Sequence, residues 1–98
     1  LVRLLRLAPK SVVREHTDPT LGLEVEKSVI RLTIPILNND EMVFNLNKIP
    51  VNMKPGECWY LDLTKPHEVI NDGNKERINL TIDVIPNDWI RNIIEKSL

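Results

Sequence analysis

The chain has 98 residues, 42% of them hydrophobic and 28% charged, which suffices for one compact domain on one core and is too few for two, so residues 1–98 read as a single domain. A net charge of −1 excludes a phosphate-tracking surface, and no apolar run reaches the length of a membrane span, so neither nucleic acid nor membrane is an expected partner. A lone cysteine, Cys58, excludes an internal disulfide, and the start carries no signal-like pattern; the sequence reads as cytoplasmic and as meeting a small molecule or a peptide.

In chain order, Leu1 to Leu7 is an apolar run with Arg3 and Arg6 interspersed, and Ala8-Pro9-Lys10-Ser11 separates it from a second run, Val12 to His16. A loop around Glu24, Glu26 and Lys27 follows, long enough to reach over a pocket mouth. Val29 to Leu37 alternates with period two: Ile30, Leu32, Ile34 and Ile36 share one face, Arg31, Thr33 and Pro35 the other. Asn38-Asn39-Asp40 predicts a turn, Met42 to Leu46 a strand, and Ile49 to Met53 a weaker strand. Lys54-Pro55-Gly56-Glu57 has the order of a type II turn.

The next run, Cys58 to Leu61, predicts a strand in which Cys58 is a small core hydrophobe and Trp59 and Tyr60 are packing residues, flanked by the strand-end groups Glu57 and Asp62. Asn71-Asp72-Gly73-Asn74 predicts a hairpin between the run at His67 and the long run Arg77 to Val84. That last run again alternates, Ile78, Leu80, Ile82 and Val84 against Arg77, Asn79, Thr81 and Asp83. Only the tail reads as helix, with Pro86-Asn87-Asp88 offering a cap and Ile90, Ile93 and Ile94 a narrow stripe. About seven short strands with turn chemistry between them favour a mainly β antiparallel sandwich or barrel such as a jelly roll.

Both long strands set an arginine and hydroxyl or amide groups opposite four aliphatics. Either the polar face meets solvent, or it lines a cavity for a charged ligand while the aliphatic face packs against something outside the barrel. The second reading, with the abrupt start in an apolar strand, predicts a fragment of a larger domain that lacks its N-terminal part.

The chemistry lies in the only two histidines. His16-x-Asp18 is followed 49 residues later by His67, and Arg77 comes ten residues after that. Two histidines and one carboxylate occupy one face of an iron(II) octahedron and leave the other positions open, and a basic residue can anchor a dicarboxylate cosubstrate. With 14 acidic residues in the chain, His-x-Asp alone carries little weight. Each member also has a plain reading: His16 as a loop residue, Asp18 as a turn former before Pro19, His67 as a turn residue after Pro66, Arg77 in a surface ion pair. The two prolines argue for the sharper reading, because they bias Asp18 and the approach to His67 toward fixed, extended geometry.

Leu5-Arg6-Leu7-Ala8-Pro9, His16-Thr17-Asp18, Ile30 to Ile36, Lys54 to Asp62, Pro66-His67-Glu68-Val69 with Asn71-Asp72-Gly73, and Arg77 to Asp83 together resemble the aspartyl/asparaginyl β-hydroxylase family of iron(II)- and 2-oxoglutarate-dependent dioxygenases, which takes in bacterial proline hydroxylases. The resemblance covers nearly the whole chain. It implies a double-stranded β-helix, a cupin-like jelly roll, with His16, Asp18 and His67 as iron ligands. Arg77 would pair with the distal carboxylate of 2-oxoglutarate, and Arg31 and Thr33 fall at further cosubstrate contacts. The implied reaction uses O2 to hydroxylate an unactivated C–H of an amino acid or of an aspartyl/asparaginyl-type side chain in a peptide or protein. Many relatives carry histidine where Thr33 stands, and animal members lack the carboxylate ligand that Asp18 supplies, so the chain looks closer to the bacterial branch. Relatives also have a substantial segment before the first strand. A cupin-like metal-binding or sensor protein without turnover is the alternative, since Pro66-His67 with Asn71 partly fits one cupin motif.

Overall fold

Alternating runs this rich in β-branched residues form strands, and the computed structural model, which describes residues 1–23 and 29–97, has eight of them and one helix among those residues. They are β1 (Val2–Leu7), β2 (Ser11–His16), β3 (Ile30–Leu37), β4 (Met42–Leu46), β5 (Ile49–Pro50), β6 (Trp59–Tyr60), β7 (His67–Asn71), β8 (Arg77–Val84) and α1 (Asp88–Ser97). The loop expected around Glu24, Glu26 and Lys27 lies outside the described residues. Pairing is antiparallel throughout and builds two four-stranded sheets, β1-β8-β3-β6 and β2-β7-β4-β5.

The first sheet has its polar face inward. Along β8, Arg77, Asn79 and Thr81 are buried while Ile78, Leu80 and Ile82 between them are partly exposed. The ladder sets Thr33 beside Thr81 and Arg31 beside Asp83, so β3 continues the same polar row. The aliphatic residues point out; Val2 and Leu4 of β1 are 62% and 66% exposed and Ile36 of β3 is 50% exposed. The polar faces therefore belong to the interior. The hydrocarbon core comes mostly from the other sheet and its loops: Leu21, Phe44, Met53, Leu61, Leu63 and Val69 form one cluster. Helix α1 caps one end of the outer face of the first sheet, where Ile94 joins Leu23 and Ile30. Asn87 caps that helix, its Oδ1 accepting from Ile90 N at 2.9 Å.

Turn chemistry places the connections. Gly56 at φ 86° and the bond from Glu57 N to Lys54 O at 3.1 Å make the expected type II turn. Asn47 and Lys48, both at positive φ, form a two-residue loop that pairs Leu46 with Ile49. The weak strand expected from Ile49 to Met53 is regular only over Ile49–Pro50, although Val51 N still donates to Phe44 O at 2.8 Å just beyond it.

Three expectations need correction. The Asn71–Asn74 segment is not a hairpin turn: β7 and β8 belong to different sheets, and the segment crosses from one to the other. The Asn71 amide decides this, because its Nδ2 donates to Leu7 O, Ala8 O and Lys75 O at 3.3, 3.2 and 2.9 Å and its Oδ1 accepts from Gly73 N at 3.2 Å, which ties the crossing to the end of β1. Cys58 is exposed rather than a core residue, since the strand is confined to Trp59–Tyr60. Ile93 stands at the rim of its stripe, 47% exposed, while Ile90 and Ile94 face the core. Trp59 and Tyr60 do pack against the two clusters.

Candidate metal centre

His16 and His67 are direct cross-strand partners at the end of the β2–β7 ladder. Plain alternation could not achieve this together with the rest of β2. Val13 and His16 both line the cavity, yet three residues apart they would fall on opposite faces of a regular strand. A bulge between them supplies the extra residue, turning His16 inward opposite His67. Asp18 follows in the segment after β2, where its N–H donates to Leu63 O at 2.9 Å and its own carbonyl accepts from Leu21 N at 3.0 Å.

One ligand atom from each of His16, Asp18 and His67 lies within 4.8 Å of the others. Asp18 Oδ2 is 3.1 Å from His67 Nε2 and 3.5 Å from His16 Nε2, and the two imidazole centroids are 4.3 Å apart. Each ring donates its other nitrogen to a backbone carbonyl, His16 Nδ1 to Arg14 O at 2.8 Å and His67 Nδ1 to Lys65 O at 2.9 Å. A neutral ring so fixed presents the Nε2 lone pair toward a carboxylate oxygen that is itself only an acceptor. Two acceptors at that distance call for a proton or a cation between them, and the outer hydrogen bonds are those that orient metal-bound imidazoles. Adjacent ligands of an octahedral ion stand about 3 Å apart for metal–ligand lengths near ~2.1 Å, so the donor set fits a small divalent ion. His67 is buried and His16 half-exposed, which leaves one side of the cluster open to the cavity and to solvent.

The cavity between the sheets has a volume of about 300 Å³, at the lower end of the ~300–1,000 Å³ usual for ligand pockets. His16, Asp18, His67, Phe44 and Val69 line one side, and Arg31, Thr33, Arg77 and Thr81 line the other with Arg6 of β1. Two wider depressions of about 420 Å³ near Asn38–Glu41 contain none of these residues. Every sequence-predicted site residue therefore meets in one place.

Three arginines reach this cavity, and their states differ. Arg31 forms a two-bond ion pair with Asp83, which holds its guanidinium above its ordinary pKa and the Asp83 carboxyl below the usual carboxylate range. Arg6 pairs with Glu76. Arg77 has no carboxylate partner among the described residues; 7% exposed, its pKa is pushed down by burial to about 10, and it remains a cation at neutral pH. Its contacts are the Asn79 amide, when Oδ1 is turned toward it, and the Phe44 ring, 6.0 Å from Cζ. Among the described residues, Arg77 Nε and Thr81 Oγ1 are buried without a hydrogen-bond partner. Such orphaned groups cost about 1–3 kcal/mol each and are points at which a bound molecule can supply a hydrogen-bond partner.

Sequence reasoning left Thr81, Asp83 and Phe44 without a role. The row Arg77, Asn79, Thr81, Asp83 at period two was signal enough for the first two; nothing local points to Phe44.

Fold and site define a β-sandwich protein with a candidate metal-binding pocket walled on its far side by buried cationic and hydroxyl groups. The chain belongs to the aspartyl/asparaginyl beta-hydroxylase family, whose sequence profile matches residues 1–86, and this places it among hydroxylases. No curated protein is significantly similar to it. Among the described residues no helix is long and apolar enough to cross a membrane.

Proposed function

We propose that this chain is an iron(II)- and 2-oxoglutarate-dependent hydroxylase built on one jelly-roll domain, acting on an amino acid or on an aspartyl/asparaginyl-type side chain of a peptide or protein. The observation that carries the reading is the pairing of two sites in one cavity: a three-donor cluster that can hold a cation, and a buried arginine with no anionic partner among the described residues. The strand orders β1-β8-β3-β6 and β2-β7-β4-β5, eight strands in two facing sheets, support the jelly-roll assignment. The free, exposed Cys58 fits a reducing, cytoplasmic setting.

In this reading His16, Asp18 and His67 hold iron(II). Bound there, the metal supplies oxygen activation coupled to decarboxylation of 2-oxoglutarate to succinate and carbon dioxide. The protein's own part is placement. Arg77 takes the distal carboxylate through charge-assisted hydrogen bonds in a site where water does not compete. Arg31, bound to Asp83, sets the electrostatic balance of the wall, and Thr33 faces the lumen beside it. Phe44 lies parallel to the His67 ring at 6.2 Å and holds hydrocarbon between the metal side and the Arg77 side.

Anaerobic titration of the protein with iron(II) and 2-oxoglutarate tests the reading. A weak visible charge-transfer band that needs both components, and succinate release once air is admitted, are expected. Metal binding without the band or the succinate would sink it in favour of a cupin-like metal-binding or sensor protein.

A further inference from the structure

Resting on the reading of the cavity as a hydroxylase site, we propose that its substrate is an acidic polypeptide segment that docks as an added strand on the free edge of β1, with a side chain turned into the cavity. β1 and β2 are edge strands of the two sheets, joined by Ala8-Pro9-Lys10. Among the described residues β1 pairs only with β8 and β2 only with β7. Val2 to Arg6 and Val12 to His16 are exposed, yet Leu5, Leu7, Val13 and His16 also line the cavity, so its mouth lies between these two edges. The edge strands at the other ends of the sheets, β5 and β6, are two residues each. Exposed edges are commonly blunted by shortness, proline or a bulge, and β1 has six residues with none of these.

The ladder fixes which backbone groups the edge offers. Leu1 N donates to Asp83 O at 3.1 Å and Asp83 N to Leu1 O at 2.8 Å, so this is a hydrogen-bonded pair. Alternation along the β1–β8 register then commits Arg3, Leu5 and Leu7 to β8 and points the N–H and C=O of Val2, Leu4 and Arg6 off the edge. A strand added there lies about 4.8 Å farther out, and every second side chain on it points toward the gap between the sheets, where His16 is half-exposed. A peptide backbone can bond to these groups in series, which a free amino acid cannot. Charge selects the kind of peptide. Residues 1–16 carry Arg3, Arg6, Lys10 and Arg14 against Glu15 alone, in a chain of net charge −1. Glu15 is engaged by Lys48 and Asp83 chiefly by Arg31, and Arg14 has no ion-pair partner among the described residues. The flank is therefore basic and complements acidic residues around the reacting one.

The test is calorimetric titration of the Mn(II)-loaded protein, with 2-oxoglutarate present, using an acetylated and amidated peptide that alternates aspartate with valine. The same peptide is N-methylated at every aspartate or at every valine, which removes the N–H groups from one side of the strand or the other. One of these two forms is expected to bind about tenfold more weakly and the other within about threefold of the parent, while N-acetyl-aspartate amide and the peptide with lysine for aspartate bind at least about tenfold more weakly. Leu4→Pro removes an off-edge N–H and no bond to β8, and it is expected to weaken the parent peptide about tenfold with Mn(II) affinity kept. If that variant does not fold, the two N-methylated peptides decide. Equal affinity of both N-methylated forms, or of N-acetyl-aspartate amide and the parent, overturns the proposal. A dimer in sedimentation that Leu4→Pro splits, with no peptide binding, gives the edge to a second copy and also overturns it. Register-dependent binding with no succinate release from the iron(II)-loaded protein in air leaves the docking standing and removes the hydroxylase reading; succinate release with the capped amino acid alone does the reverse.

Discussion

Arg31 and Asp83 face each other across the β3–β8 ladder and close an ion pair through two hydrogen bonds, Nε to Oδ1 at 2.8 Å and Nη2 to Oδ2 at 3.1 Å. This pair takes one cavity arginine out of competition for ligand and makes Asp83 a stability residue. Its carboxyl is held low chiefly by the Arg31 hydrogen bond, so the stabilisation is fully present above the ordinary carboxylate value near ~3.9 and is lost as pH falls through the lower folded value. Asp83→Asn should cost about 1–3 kcal/mol at pH 7. Urea unfolding of both proteins from pH 7 to pH 2 should show the gap closing below about pH 4; a gap that stays constant would refute the ion pair as its source.

Arg77 is the cavity arginine without a carboxylate partner among the described residues, and the proposed function makes it the anchor for 2-oxoglutarate. Arg77→Ala should raise the dissociation constant for 2-oxoglutarate about 10- to 100-fold, the equivalent of one charged hydrogen-bonded contact, while Mn(II) affinity stays within about threefold. Arg77→Lys should recover only part of the loss, because an ammonium lacks the planar fork. Calorimetry reads both quantities, and equal 2-oxoglutarate affinity in Arg77→Ala would remove the anchor role.

The histidine–carboxylate cluster makes a prediction that needs no cosubstrate. A divalent ion at about 100 times its dissociation constant stabilises the folded state by ~2.7 kcal/mol, or roughly 10–20 °C in a domain of this size. Melting curves with Mn(II) should show this shift and its reversal by chelator. Asp18→Ala and His67→Ala should each abolish it, and a shift that survives both substitutions would place the ion elsewhere.

Asn71 is 1% exposed at the crossing between sheets, where its amide meets Leu7, Ala8, Gly73, Lys75 and Asn39. Asn71→Ala strands several buried backbone groups at once and should cost about 3 kcal/mol, among the larger single losses available in this chain. Gly73 beside it has no room for a side chain: a Cβ would stand 2.6 Å from Asn39 Oδ1, so Gly73→Ala should also destabilise, as urea unfolding of the two variants will show.

Period two carried much of this architecture into the sequence. The residues of β3 and β8 name their own faces, and the aliphatic rows Ile30 to Ile36 and Ile78 to Val84 leave little doubt that both are strands. Which face turns inward was not legible, because it depends on what the opposing sheet offers across the gap. The β2 bulge was equally silent: Arg14 and Glu15 look like ordinary strand residues, and only pairing with β7 shows that one position is extra. The Asn-Asp-Gly-Asn signal announced the end of β7 but not the crossing between sheets, since the Asn71 side chain binds carbonyls some 63 residues away in sequence. Lys48 at φ 68° gives no hint of the tight loop it completes with Asn47. The candidate metal cluster was readable because the chain has only two histidines, one of them two residues from a carboxylate, whereas the Arg31–Asp83 and Arg6–Glu76 pairs depend on register alone.

The bulged β2 strand and β7 bring the histidines from one sheet, and β8 brings Arg77 from the other. A guest gripped at both ends would therefore rivet the two layers of the sandwich together, and its binding would stabilise both sheets at once.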